Sequence, residues 1–326
     1  MDDSTRIAQG GVGAAVIALG LIVLALSAGW LSGAVIDGHL PSCPTGCVDI
    51  ASADSDTTPL ANTVLGDSAT PVATPTEPPD FPFVSARSIA VVDAGCGALM
   101  FGRDEHLRLA PASLTKLMTA AVAIEQADPG RLITSKIDGA ALNDENGSTV
   151  MGLQPGMELR LLDLLYGLLL PSGNDAAITI ADGIAGSQED FVALMNEKAE
   201  SLALEDTHFT NPHGLSEDGL YSSAYDMAII ARFVMQNSSL REIVGTLTWQ
   251  PRWDGPPVWN GNELLTAYEG ADGVKIGYTE EAQQTIVASA TRGGRTIVAS
   301  LMRSQDRYED SERVLDWAFD QPSACP

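Results

Sequence analysis

At 326 residues, with 18 lysines and arginines against 43 aspartates and glutamates, the chain carries a formal net charge of −25. A surface that acidic repels phosphate backbones, which removes nucleic acid from the expected partners. The 45% apolar content and 31 glycines are those of a folded protein, which excludes global disorder; the length allows one large domain or two small ones.

Residues 7 to 36, between Arg6 and Asp37, carry no formal charge and contain the run Ala14 to Leu26. That is long enough to cross a bilayer as a helix. Arg6 precedes it and Asp37 and Asp49 follow, so residues 1–9 read as a cytoplasmic N-terminus and 10–36 as a transmembrane anchor. Ala25-Leu26-Ser27 also offers a cleavage site, so a removed signal segment competes with a retained anchor. Either way the remainder is exported.

Outside the cytoplasm, four cysteines read as disulfides. Three pairings are possible; Cys43 with Cys47 and Cys96 with Cys325 is favoured. No histidine-rich cluster accompanies them, which weakens a metal reading. Residues 37–80 form an extracellular linker whose later part is rich in Ser, Thr, Pro and Ala, and a folded domain is expected over 81–322.

Within it, Ser88 to Asp93 reads as a strand broken by Gly95-Cys96-Gly97. From Ser113, apolar residues at Leu114, Leu117, Met118, Ala121 and Val122 predict an amphipathic helix. Leu159 to Leu170 predicts a buried helix interrupted by Pro171-Ser172-Gly173-Asn174, and another follows from Asp175. Ser187-Gln188-Glu189-Asp190 looks like a capping box. Near the end, Thr285 to Ser289 and Thr296 to Ser300 are identical β-type pentads around Gly293-Gly294, a hairpin signal. Gly273 to Thr279 precedes them as a strand, and Val314, Leu315, Ala318 and Phe319 give a last helix one apolar face. The order implies an α+β domain.

Three short motifs carry chemistry. In Ser113-Leu114-Thr115-Lys116, the i, i+3 spacing on a helix brings an amine to a hydroxyl, and a lysine of lowered pKa can activate a serine. In Ser172-Gly173-Asn174, a hydroxyl able to relay a proton neighbours an amide able to donate and accept. In Lys275-Ile276-Gly277, a cation for a substrate carboxylate precedes a glycine that lets a ligand approach the strand. Each is commonplace alone: a helix cap, a turn and a charged edge strand.

Together and in this order, the three resemble the signature of penicillin-binding proteins and serine β-lactamases. P-A-S-L-T-K-L-M-T-A (111 to 120), S-G-N-D-A-A (172 to 177), N-P-H-G-L (211 to 215) and D-G-V-K-I-G-Y-T (272 to 279) narrow the resemblance to low-molecular-mass D-alanyl-D-alanine carboxypeptidases of serine peptidase family S11. It covers residues 83 to 320. It implies a β-lactamase/transpeptidase-like fold, an antiparallel sheet flanked by helices with a helical subdomain.

The resemblance further implies Ser113 as nucleophile and Lys116 as its base, with Ser172 assisting proton transfer and Asn174 holding the substrate amide. Lys275 and Gly277 would bind substrate, and the backbone N–H groups of Ser113 and Tyr278 would form an oxyanion hole. The implied partners are a peptidoglycan stem peptide, β-lactams as covalent inhibitors, and a membrane through the N-terminal segment; no metal or other cofactor is expected. A D,D-endopeptidase and a catalytically weak wall-binding homologue are the alternatives. No E-x-x-L-N-like segment supports a β-lactamase. Ile276 stands where the family usually has Thr, which implies weaker penicillin binding.

His208 and His213 have metal-like spacing but are expected to be structural. Asp226 reads as a helix-start carboxylate. Trp249, Trp253 and Trp259 are candidates either for a groove or for packing.

Overall fold

Every residue of Ser-Ile-Ala-Val-Val-Asp at 88 to 93 is buried, as expected of a strand covered on both faces. The computed structural model, which describes residues 77–326, places it inside a five-stranded sheet. The candidate membrane segment, Cys43, Cys47 and the linker up to residue 76 lie outside the described residues. Among the described residues no helix is long and apolar enough to cross a membrane.

The elements run β1 (Ser88–Asp93), β2 (Leu99–Arg103), a 3-10 turn (Ala112–Leu114), α1 (Thr115–Gln126), β3 (Leu132–Thr134), α2 (Gly139–Asn146) and β4 (Glu158–Arg160). Next come α3 (Leu161–Leu169), α4 (Asn174–Ala185), α5 (Gln188–Ser201), α6 (Ala224–Gln236) and α7 (Ser238–Gly245). The chain closes with β5 (Thr248–Trp249), β6 (Val258–Trp259), α8 (Leu264–Ala267), β7 (Ala271–Thr279), β8 (Gln283–Arg292), β9 (Arg295–Ser304) and α9 (Arg307–Asp320).

The large sheet is antiparallel in the order β2-β1-β9-β8-β7, so β7 is an edge. Strand periodicity divides its side chains between two cores. Val92, Val287 and Val298 join the helical block built around α1, whereas Ile89, Val91, Ile286, Ala288, Ala299 and Leu301 pack with Val314, Leu315 and Trp317 of α9. The hairpin forms where the pentads predict it, with Ala288 opposite Ala299. Its turn residues Gly293 and Gly294 have φ of 58° and 81°. A two-residue turn with positive φ at both positions matches the twist of the flanking strands and suits glycine.

Two expectations change. Ser113 lies in the 3-10 turn, two residues before α1 begins, and α1 has no wet face over its first nine residues: Thr115 through Ala123 are all buried. The helix packs against α3, α4, α5 and α6, which leaves no side for water. The helix expected from Leu159 starts at Leu161, because Glu158–Arg160 pairs with β3. Ser187 does cap α5, accepting from the Asp190 N–H. Cys96 is bonded to Cys325, with Cα atoms 5.7 Å apart, tying the C-terminal tail to the β1–β2 turn.

Candidate active site

Helix α1 presents Lys116 from a fully buried position, an unusual place for a lysine unless it is paired or neutral. Its Nζ lies 3.0 Å from Ser113 Oγ, 2.7 Å from Asn174 Oδ1 and 2.6 Å from the His213 carbonyl oxygen. Both carbonyl oxygens can only accept. A neutral amine there would give its two hydrogens to the carbonyls and turn its lone pair to the Ser113 hydroxyl. Burial, followed by the positive charge of Lys275, drives the Lys116 pKa well below its usual range, against the opposing pull of the Asp175 carboxylate.

The partners of Lys116 are themselves held. Asn174 opens α4, donates its backbone N–H to the Thr149 carbonyl at 2.8 Å and its amide to Ser148 Oγ at 2.8 Å. Buried Asp175 accepts from the N–H groups of Met151, Gly152 and Leu153 at 2.9 Å each, which stitches that loop to the helix start. His213 is presented by a turn in which Gly214 has φ of +90°, and a Cβ there would stand 1.9 Å from the Ala112 carbonyl oxygen. Only glycine permits that approach to the Ser113 turn.

Ser172 has φ of 69°, and its buried Oγ has no hydrogen-bond partner. A left-handed serine with an unsatisfied hydroxyl is strained and underbonded, a combination that concentrates where a group must meet a substrate. Strand β7 supplies Lys275, whose Nζ donates to the Ile276 carbonyl at 2.9 Å. Burial, then the nearby Arg307 charge, lowers its pKa to about 7. Arg307 donates to the Gly277 carbonyl at 2.8 Å, bracing the strand. A Cβ at Gly277 would lie 2.5 Å from Thr285 Oγ1 and 3.0 Å from the Ser113 nitrogen, so glycine admits the nucleophile turn against β7. Tyr278 follows with an exposed side chain. Ile276 stands opposite Ile286 in β8, and a Cβ added at Gly261 would lie 3.3 Å from its Cδ1.

Ser113, Lys116, Asn174 and His213 therefore form one hydrogen-bonded cluster, with Lys275 near enough to act on its charge and Gly277 against its turn. His208 donates Nδ1–H to the Gly219 carbonyl, while His213 Nδ1 accepts from the Leu215 N–H, so the two rings have separate structural partners. Asp226 sits in the first turn of α6 and accepts from the Asp206 N–H and the Thr207 hydroxyl; burial raises its pKa. Trp249 stacks on Tyr166 at 3.9 Å and bonds Asp163, and Trp253 bonds the Pro256 carbonyl, so both serve as packing anchors. Trp259 remains 49% exposed. Sequence reasoning missed Ser148, Asp175, Gly214 and Arg307. Asp175 and Gly214 stand inside quoted motifs and were open to notice; Ser148 and Arg307 have no local signal.

An antiparallel sheet with a helical block on one face, and a serine–lysine pair set between them, is the penicillin-binding-protein fold. The D-alanyl-D-alanine carboxypeptidase description of peptidase family S11 matches residues 73–306. The chain belongs to that family. It is 37% identical over 248 residues to D-alanyl-D-alanine carboxypeptidase DacF of Bacillus subtilis, covering 74% of this chain and 64% of that one. It is 35% identical to DacB2 of Mycobacterium tuberculosis, covering 74% and 84%. The chain thus spans less than two thirds of the Bacillus relative's length. The crystal structure of the Streptomyces K15 DD-transpeptidase superposes with a TM-score of 0.70 at 30% identity, over 74% of this chain and 99% of that one.

Proposed function

We propose that this chain is a serine D-alanyl-D-alanine carboxypeptidase that removes the terminal D-alanine from peptidoglycan stem peptides. The observation that carries the reading is the threefold coordination of buried Lys116 by Ser113, Asn174 and the His213 carbonyl. Lys116 accepts the Ser113 proton as Oγ attacks the carbonyl between the two D-alanines. The N–H groups of Ser113 and Tyr278 receive the oxyanion, a contact whose loss commonly costs about 100-fold or more. Ser172 passes a proton to the departing amine, and Lys275 attracts the terminal carboxylate. Asn174 has its oxygen on Lys116 and one amide hydrogen on Ser148, which leaves one N–H for the substrate amide. Water then hydrolyses the ester on Ser113. The same site acylates with β-lactams, and the catalytic domain works outside the cytoplasmic membrane, tethered by residues 10–36.

Intact-mass measurement after exposure to a β-lactam, beside D-alanine release from a pentapeptide, tests this. Wild type gains the mass of one inhibitor and releases D-alanine; Ser113→Ala does neither. An equal mass gain in both proteins overturns Ser113 as the nucleophile. The Streptomyces K15 protein is a DD-transpeptidase, which favours one second reading, transfer of the acyl group to an amine. Supplying an amine acceptor together with a cross-linked dimer separates hydrolase, transpeptidase and endopeptidase by the product formed.

A further inference from the structure

A cavity of about 560 Å3 lies beside the Cys96–Cys325 disulfide, walled by the β1–β2 turn, the start of β7, the β8–β9 turn and helices α6 and α7. None of Ser113, Lys116, Ser172, Asn174 or Lys275 lines it. Asp272 at its wall and Gly277 at the serine site are five strand residues apart, roughly 16 Å.

In a chain of net charge −25, this cavity is lined by three arginines, Arg232, Arg241 and Arg295, against two carboxylates, Asp93 and Asp272. The charges are not equivalent. Arg295 pairs with Asp93 at 3.1 Å and donates to the Gln321 carbonyl at 2.7 Å, so it builds the wall that carries the disulfide. Arg232 donates Nε–H to the Ala94 carbonyl at 2.8 Å and Nη2–H to the Gly95 carbonyl at 3.4 Å, which fixes its guanidinium without neutralising it and leaves Nη1 unengaged among the described residues. Arg241 is exposed, and neither it nor Arg232 forms an ion pair among the described residues. Asp272 accepts from the Thr291 hydroxyl.

With Arg295 and Asp93 cancelling, the lining keeps two guanidinium charges and one carboxylate. A net charge of one matches a monoanion and disfavours a multiply charged phosphate. Guanidinium groups recognise carboxylates through paired N–H donors. The volume suits a ligand of small-molecule or short-peptide size. A Cβ added at Gly293 or Gly294 would meet nothing within 4 Å, so a peptide can run past the hairpin turn.

We propose that this cavity is a second binding site, which takes the free carboxylate of a short peptide between Arg232 and Arg241. If the proposed function holds, such carboxylates belong to neighbouring stem peptides, and the wall polymer is gripped at a distance from Ser113. The binding itself does not depend on that reading.

The probe is acetyl-triglycine, which carries no D-alanine, compared with its C-terminal amide, each titrated by calorimetry into the purified full chain bearing Ser113→Ala. The acid binds saturably and the amide at least about tenfold more weakly, as expected when a charge-assisted pair is lost. Arg241→Ala weakens the acid about tenfold, Arg241→Lys restores part of it, and Arg241→Ala on the wild-type background still releases D-alanine from a soluble pentapeptide at the normal rate. Equal binding of acid and amide, no saturable binding of the acid, or inorganic phosphate competing as tightly as the acid would each overturn the proposal. Because binding is read on the Ser113→Ala protein, failure of the peptidase reading leaves this result standing, and the reverse.

Discussion

Replacing Lys275 by methionine should stabilise the fold while it destroys the site. Lys275 is fully buried, and its pKa falls from the ordinary 10.5 to about 7. That displacement is worth about 5 kcal/mol against the folded state wherever the amine is protonated in both states. Losing the bond to the Ile276 carbonyl offsets about 1 kcal/mol, so Lys275→Met gains about 4 kcal/mol below pH 7. The folded pKa is the lower one, so the unfolded chain holds the proton more tightly. Wild-type stability is therefore lowest below pH 7, rises between pH 7 and about 10.5, and catches up with the variant at the top of that window. At about 2–4 °C per kcal/mol for a domain of this size, thermal unfolding at pH 6 should show the variant roughly 8–16 °C above wild type, with the gap closing by pH 10. D-alanine release should fall by about 100-fold or more as the carboxylate contact and the local charge disappear. A gap that stays constant with pH, or a variant less stable than wild type at pH 6, would refute the buried-charge argument.

Gly214→Ala should leave the circular dichroism spectrum unchanged and lower kcat/KM by about 100-fold, because its Cβ collides with the carbonyl of Ala112 and displaces Ser113; unchanged kinetics would count against that packing. Cys325→Ser opens a link spanning 229 residues and should cost about 2–4 kcal/mol, read as a lower Tm under oxidising conditions only. Ile276→Thr should speed acylation by penicillin about tenfold, the equivalent of one charge-assisted hydrogen bond at the cleft rim, and an unchanged rate would mean position 276 does not meet the carboxylate. Raising ionic strength should increase kcat/KM for an anionic pentapeptide, since salt screens the repulsive body more than the buried lysines; a fall would mean that long-range attraction guides the substrate.

The parts of the fold legible in advance were those where one residue pattern has one physical solution. Two identical β-type pentads around Gly293-Gly294 close as a hairpin because the turn needs positive φ twice. Ser187 three residues before Asp190 caps a helix because its hydroxyl meets a free N–H. The short pieces β2 to β6, α2, α7 and α8 escaped notice because tertiary pairing and packing decide such segments more than local preference. Glu158–Arg160, for example, becomes a strand only because Leu132–Thr134 lies beside it. At the candidate site, the motifs drew attention to Ser113, Lys116, Ser172, Asn174 and Lys275, of which Ser113, Lys116 and Asn174 share hydrogen bonds. They did not reveal that a main-chain carbonyl, that of His213, accepts a hydrogen bond from Lys116 Nζ. A backbone acceptor has no residue type, and nothing in the order of side chains records it.

That carbonyl bears on why an acidic protein can afford this site. Two fully buried lysines and the guanidinium of Arg307 stand close enough to perturb one another, yet no ion pair joins Lys116 or Lys275 to a carboxylate among the described residues. Direct pairing would raise the lysine pKa values and favour a protonated Lys116, which would oppose the proposed role as base. Neutral carbonyls from His213 and Asn174 satisfy its hydrogens without that penalty, and the Asp175 charge is taken up by the N–H groups of Met151, Gly152 and Leu153. Asp175, the carboxylate whose charge does reach Lys116, is therefore held by its own hydrogen bonds and does not pair with the lysine.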